Sequence, residues 1–261
     1  MKDNGQVPGM HGMHARPGIT ELLLVRHGES QGNVAATLAR QAGAHVINVP
    51  ARDADVELSD TGRQQALALG RLLAGIPAGE RPVVWSSPYR RARQTAELAV
   101  RAAGWQTEIL ADERLRDREL GILDMLTSIG VEARLPEEAQ RRLWLGKFYY
   151  RPPGGESWAD VVLRLRSLLG DLDRLHSGQR VMLVCHDAPI LLFRYILERL
   201  SERELLDIAA VSTILNASVS RFIRPAGTGP WMLDRFNMAD HLVSEGVPVT
   251  EHAGEPNVHP R

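Results

Sequence analysis

The feature that most constrains this chain is a short apolar run that leads directly into charged and polar residues. Leu22 to Val25 are all apolar, and the sequence RHGES follows at residues 26–30. A continuous apolar run of this length, bounded by turn residues, is typical of a strand buried in a parallel sheet. Open α/β sheets bind ligands just beyond the carboxyl ends of their strands. We therefore expect the residues after Val25 to lie at a ligand site.

The side chains at this strand end suit an anion, and phosphate in particular. Arg26 offers planar donors that match phosphate oxygens, and Gly28 allows the backbone to approach a ligand closely. His27 adds an imidazole, which in its neutral form is a capable nucleophile. The bland alternative is a solvated strand-to-helix turn with an incidental histidine. Residues elsewhere in the chain decide between the two interpretations.

Two further apolar runs end in residues of the same kind. Residues 82–85 lead into Ser87 and Pro88, which predict the start of a helix with Arg91 in its first turns. Residues 181–185 lead into His186. The chain between the runs is long enough for helical crossovers, so the three strands are expected to be parallel. Neighbouring parallel strands would then gather two arginines and two histidines at one sheet edge.

Composition excludes several classes of protein and site. The 261 residues are 44% hydrophobic and 24% charged with a net charge of −1, so bulk charge favours neither nucleic acid nor membrane as a partner. The single cysteine, Cys185, permits neither an intramolecular disulfide nor a thiolate zinc site. The sequence lacks an apolar run near ~20 residues, and residues 1–18 lack the apolar segment of a secretory signal. We predict a cytoplasmic protein and leave monomer or homodimer open.

The motif and its surroundings resemble a known family. RHGES at residues 26–30, with Asn33 after it, resembles the RHGES-x-x-N motif of the histidine phosphatase superfamily, also called phosphoglycerate-mutase-like. The resemblance extends over roughly residues 20–236. Further matches to the family's pattern are residues 58–66, residues 87–96, Gly155-Glu156-Ser157 and Asn216.

The resemblance implies a three-layer α/β/α fold, in which a mostly parallel central sheet is flanked by helices and a helical insertion lies over the active site. We expect a single domain over residues 19–243, with the insertion at 123–156. Flexible tails are expected at residues 1–18 and 244–261.

The resemblance also implies an activity. The chain is expected to be a metal-independent phosphatase that hydrolyses small phosphomonoesters through a phosphohistidine on His27, with no cofactor. Arg26, Arg91 and His186 would bind the phosphate, Asn33 would add a hydrogen bond, and His186 would also be catalytic.

The sequence departs from the family's pattern at two positions. Asp117 stands where the family usually has the glutamate that protonates the leaving group, and Glu113 and Glu119 are possible substitutes. A free aspartate has a pKa of roughly 3.9, so such an acid would need burial or hydrogen bonding to stay protonated. Asp187 replaces the glycine that usually follows the second histidine. It either caps the next helix or faces inward, where it would repel phosphate.

Three other functions share parts of this pattern. A cofactor-dependent phosphoglycerate mutase would usually carry an aromatic-rich F-x-G-W-x-D segment, which residues 31–56 lack, so a phosphatase is favoured. A non-catalytic module of the same fold would bind phospho-ligands without turnover. A metal-dependent phosphohydrolase of the HD kind would be all-helical, whereas His186 and Asp187 here follow an apolar run.

Overall fold

The computed structural model describes residues 17–252. Residues 1–16, which make up most of the predicted N-terminal tail, lie outside the described residues. Residues 253–261, the end of the predicted C-terminal tail, also lie outside them. The strands of the described part are β1 (Glu21–Arg26), β2 (Val83–Ser86), β3 (Ile109–Ala111), β4 (Arg180–Cys185), β5 (Val219–Ile223) and β6 (Met232–Met238). Its α-helices are α1 (Gln31–Gln41), α2 (Asp60–Ala74), α3 (Arg90–Ala102), α4 (Ser128–Arg134), α5 (Pro136–Tyr149), α6 (Trp158–Leu175), α7 (Asp187–Leu197), α8 (Glu202–Val211) and α9 (Asp240–Ser244).

The strands form one sheet in the order β3-β2-β4-β1-β5-β6. Strand β4 pairs in parallel with both β1 and β2, and β3 extends the parallel part beyond β2. Strands β5 and β6 are added as antiparallel neighbours. The mostly parallel α/β fold predicted from the sequence is confirmed, and an all-helical HD protein is excluded. The three predicted strands are adjacent, so their carboxyl ends meet at one edge.

Both faces of the sheet are buried. Leu22 and Leu24 of β1 pack into a core with α6 and α7, whereas Leu23 and Val25 pack on the opposite face with α2 and α3. Side chains alternate between the two faces of a strand, so a strand covered on both sides must be apolar throughout. This explains why the residues of β1 between Glu21 and Arg26 are all apolar.

Helix α3 begins later than the sequence predicts. The expected N-cap was Ser87 with Pro88 as the first helical residue, but the helix begins at Arg90 after Tyr89. The Ser87 hydroxyl instead accepts a hydrogen bond from the backbone N–H of Tyr89 at 3.2 Å and contacts the ring of His186. The Ser87 side chain therefore makes both a local hydrogen bond ahead of the helix and a tertiary contact with His186, while Tyr89 occupies the N-cap position.

The C-terminal boundary also differs from the prediction. Residues 244–252 belong to the predicted flexible tail, yet part of this segment is bound to the domain. Gln65 Nε2 donates to the carbonyl of Pro248 at 2.9 Å, and the backbone N–H of Asn216 donates to that of Thr250 at 3.0 Å. The flexible tail was predicted from the polar composition of the segment. The bonds to Gln65 and Asn216 could not be predicted, because these residues lie far away along the chain.

No helix within residues 17–252 is long and apolar enough to cross a bilayer.

Candidate active site

The loop after β1 is held by backbone contacts on both sides. The His27 N–H donates to the carbonyl of Cys185 at 2.9 Å, and the His27 carbonyl accepts from Asn216 Nδ2 at 3.1 Å. Gly28 is required here because a Cβ atom would lie 2.5 Å from the carbonyl oxygen of Gly62. The loop therefore fixes the His27 ring at the carboxyl edge of the sheet.

The hydrogen bonds of His27 define which ring nitrogen can react. Nδ1 lies 2.7 Å from the carbonyl oxygen of Gly28 and can only donate to it, so the proton of the neutral ring is on Nδ1. Nε2 then carries a lone pair, and Arg91 Nε donates to it at 3.3 Å. Burial, followed by the charges of Arg91 and Arg26, holds the pKa of His27 well below its ordinary value. The ring is neutral and potentially nucleophilic near pH 7.

Two buried arginines flank this imidazole. Arg26 donates to the carbonyl of Ile214, while its Nε is buried and has no hydrogen-bond partner among the described residues. Arg91 binds both carboxylate oxygens of Asp53, at 3.0 Å from Nη1 and 3.2 Å from Nη2. Its Nη2 also lies 3.3 Å from Asp117 Oδ2. The arginines supply concentrated positive charge beside the His27 lone pair.

His186 lies against His27, with 5.1 Å between the ring centroids. Its Nε2 is 2.9 Å from the Ser87 hydroxyl, which can donate its proton to this nitrogen. With Ser87 as the donor to Nε2, the proton of the neutral ring is on Nδ1, which lies 3.5 Å from Asp117 Oδ2. Burial and the nearby Arg91 hold the pKa of His186 well below its ordinary value, so this ring is also neutral.

Asp117 has the electrostatics of a proton donor. Burial, then the charge of Asp187, raise its pKa to about 7, although Arg91 opposes the shift. The position of its backbone is set by Arg164, whose Nη2 donates to the Asp117 carbonyl at 3.1 Å. A carboxyl group with such a pKa can both give and take a proton near neutrality.

The two substitutes for Asp117 occupy different surroundings. Glu119 lines the same pocket and accepts a hydrogen bond from the Tyr89 hydroxyl at 2.7 Å. Glu113 is exposed and lies outside the pocket. The structure thus leaves Asp117 and Glu119 as candidates that line the pocket, and of the two Asp117 lies within 3.5 Å of His186.

Asp187 faces the pocket as the first residue of α7, and the backbone of His186 takes the N-cap position that the sequence offered to Asp187. One carboxylate oxygen of Asp187 accepts the N–H of Ala188 at 2.8 Å. Of the two predicted orientations, the inward one is therefore observed.

The pocket encloses about 530 Å³, a size typical of small-molecule sites. Its wall includes five of the six residues predicted to act: Arg26, His27, Asn33, Arg91 and Asp117. The sixth, His186, is buried behind them and touches both His27 and Asp117. The amide oxygen of Asn33 accepts the Ser30 N–H at 3.1 Å and completes the capping box of α1. Proximity is thus established, while the roles assigned to these residues stay predictions.

Asp53 and His252 also line the pocket but were not singled out from the sequence. Asp53 lies in a segment without hydrophobic periodicity, and His252 lies in the predicted tail. Neither position carries a sequence signal that distinguishes it from an ordinary surface residue. Within residues 17–252, no three His, Cys, Asp or Glu side chains are grouped so that they could hold a metal ion.

Several curated proteins are similar to this chain, and their names state different activities. A 6-phosphofructo-2-kinase/fructose-2,6-bisphosphatase from Gallus gallus is 32% identical over 183 residues, which are 69% of this chain but only 33% of that protein. A metal-independent phosphoserine phosphatase from Arabidopsis thaliana is 28% identical over 87% of this chain and 85% of its own. A 2,3-bisphosphoglycerate-dependent phosphoglycerate mutase from Rhizobium meliloti is 30% identical over 71% and 82%, respectively.

Among solved structures, a mycobacterial glucosyl-3-phosphoglycerate phosphatase complexed with VO3 is 27% identical, with a TM-score of 0.63 over 84% of this chain and 100% of that chain. A model of the histidine phosphatase superfamily (branch 1) matches residues 22–238, a span that contains every site residue predicted above. The chain therefore belongs to the histidine phosphatase superfamily.

Proposed function

We propose that this protein is a phosphatase that hydrolyses small phosphomonoesters through a phosphohistidine on His27. One observation carries the proposal: the unprotonated Nε2 of a buried, neutral imidazole lies beside two buried arginines and near a carboxyl group whose pKa is about 7. The Nε of Arg26 is buried without a hydrogen-bond partner within residues 17–252, which supports an anion as the ligand, since buried donors are rarely left unpaired.

In the first step His27 Nε2 attacks phosphorus, and the bond between phosphorus and the leaving oxygen breaks. Arg26, Arg91 and the Nδ1–H of His186 bind the phosphate oxygens and stabilise the charge of the transition state. Asp117 gives its proton to the leaving oxygen. In the second step Asp117 takes a proton from water, which attacks phosphorus and breaks the bond to His27.

The mechanism needs no metal because the arginines and the imidazole N–H supply the positive charge and the donors. Metal independence is also supported by similarity to the Arabidopsis relative, which is named a metal-independent phosphoserine phosphatase. The relatives include a mutase by name, but residues 31–56 of this chain lack the aromatic-rich segment of mutases. We therefore favour transfer to water over transfer to a second substrate hydroxyl.

The proposal is tested by phosphate release from a panel of phosphomonoesters in EDTA, with vanadate binding measured in parallel. We expect turnover of at least one ester at a rate that EDTA does not change. Vanadate binding without turnover of any ester would instead identify a phospho-ligand-binding module. Turnover that is lost in EDTA and restored by a divalent cation would overturn the metal-free mechanism, and phosphate transfer to an acceptor in place of release would identify a mutase.

Asp53 is expected to compete with the phosphate for Arg91. Its carboxylate occupies both terminal nitrogens of that arginine, as two phosphate oxygens would. Asp53→Asn should therefore tighten the binding of inorganic phosphate or vanadate by roughly 3- to 10-fold, because one negative charge leaves the site. Titration calorimetry or product-inhibition kinetics would measure the change.

Asp55→Asn is the matched control for this experiment. Asp55 lies two residues away, pairs with Arg52 at 3.0 Å and is half exposed, so its loss should leave phosphate affinity unchanged. Weaker phosphate binding by Asp53→Asn would instead mean that Asp53 holds Arg91 in the orientation that the ligand requires.

A further inference from the structure

The backbone of the His27 loop depends on two buried amide side chains. The Oε1 atom of Gln65 accepts the Glu29 N–H at 2.8 Å, and Nδ2 of Asn216 donates to the His27 carbonyl at 3.1 Å. Both amide side chains belong to fully buried residues. An amide can serve this loop only if its oxygen and nitrogen point the right way, so something must fix their orientations.

Thr250 forms hydrogen bonds with both amides and links them to each other. Its hydroxyl accepts a hydrogen bond from Gln65 Nε2 at 2.9 Å and donates one to Asn216 Oδ1 at 3.1 Å. A hydroxyl can accept and donate at once, so the single oxygen of Thr250 can bond to both amides. A flipped Gln65 would set Nε2 against the Glu29 N–H, and a flipped Asn216 would set Oδ1 against the His27 carbonyl, so each amide would lose its bond to the loop.

The same segment continues to the wall of the pocket. Val247 packs against Leu242 and Ala68, and Pro248 accepts a second bond from Gln65. His252 is buried, with Nδ1 at 2.9 Å from the Thr37 hydroxyl and Nε2 at 3.5 Å from Glu29. This segment lies beyond residues 22–238, the part of the chain that the family model matches.

We propose that residues 247–252 complete the catalytic site, with Thr250 as a positioning residue that holds His27 through Gln65 and Asn216. Thr250 touches no reacting atom. It acts by keeping the loop of residues 27–29 in the one geometry that directs Nε2 toward the phosphate. The proposal rests on the proposed function, because it assigns Thr250 a role in nucleophilic attack by His27.

The test compares Thr250→Val with Thr250→Ser in the full chain. Valine has the shape of threonine but no hydroxyl, whereas serine keeps the hydroxyl. We expect kcat per folded molecule to fall ~10- to 100-fold in Thr250→Val, as for a small misplacement of a reacting group, with KM changed less than about 3-fold. Thr250→Ser should stay within about 3-fold of the wild type. Thr107→Val, at an exposed threonine, is the control.

A second measurement does not depend on turnover. Hydrogen–deuterium exchange of residues 27–30 should be faster in Thr250→Val than in the wild type and near the wild-type rate in Thr250→Ser. Circular dichroism at the assay temperature gives the folded fraction of each variant. If Thr250→Val does not fold, Thr250→Ala, which leaves room for a water, replaces it.

The outcomes separate the two proposals. Wild-type exchange and kcat in Thr250→Val would overturn the role of Thr250, as would equal losses in the valine and serine variants. A wild type that turns over no ester would refute the phosphatase proposal, whereas the exchange experiment would still decide whether Thr250 holds the loop.

Discussion

Replacing His27 with alanine is expected to lower kcat/KM by at least ~10³-fold, because the covalent route requires the Nε2 lone pair of this ring and the other site residues act only through it. The loss should appear in kcat for every ester, since all of them would pass through the same phosphoenzyme. Steady-state phosphate release on the best ester of the panel measures it. His45→Ala provides the control, because His45 is exposed and does not line the pocket.

The phosphoenzyme can also be observed directly. Wild type mixed with a ³²P-labelled ester and quenched in alkali should retain label on the protein, and His27→Ala should retain none. A labelled His27→Ala protein, or one that keeps more than a tenth of wild-type activity, would transfer the nucleophilic role to another residue. His186 would then be the first to examine, because its ring lies 5.1 Å from that of His27.

Replacing Asp117 with asparagine is expected to lower kcat by ~10²- to 10³-fold on alkyl phosphates, because the leaving alkoxide would depart without a proton. The loss should be much smaller on p-nitrophenyl phosphate, whose leaving group is a weak base and needs little protonation. The ratio of the two losses therefore reports the acid specifically. Glu113→Gln and Glu119→Gln are the controls, and a larger, ester-dependent loss in Glu119→Gln would move the acid to Glu119.

The pH dependence of kcat/KM shows whether Asp117 must carry its proton in the first step. The pKa of Asp117 is raised to about 7, so the proton-bearing form dominates below that pH and is lost above it. Wild-type kcat/KM on an alkyl ester should therefore fall as the pH rises through about 7. Asp117→Asn should lack this descending limb. A wild-type profile that rises through the same range would mean that the essential form of Asp117 in the first step is the carboxylate.

The parts of the fold that depend on local sequence were predictable. The apolar runs of β1, β2 and β4 indicate strands buried on both faces, and the chain between them requires crossovers that make the strands parallel. Convergence of Arg26, His27, Arg91 and His186 follows from those two statements. The position of Asp117 came from the resemblance to the family, because its surrounding run of charges would otherwise be read as a solvated face.

The remaining features depend on distances between residues far apart in the chain. The bidentate contact of Asp53 with Arg91 joins a loop without periodicity to α3, and the contact of Ser87 with His186 joins the ends of two strands. Thr250 also contacts residues far away in the chain, Gln65 and Asn216. Its polar and proline-bearing context had predicted a flexible tail.

The sequence by itself thus determined the sheet, its direction and the residues at its carboxyl edge, because hydrophobic patterning and turn residues act over a few neighbours. Only the tertiary structure decided the protonation of the site. The neutral ring of His27 and the raised pKa of Asp117 arise from burial and from charges brought close by folding. Desolvation and Coulomb interactions depend on three-dimensional distance, which the order of residues along the chain does not state.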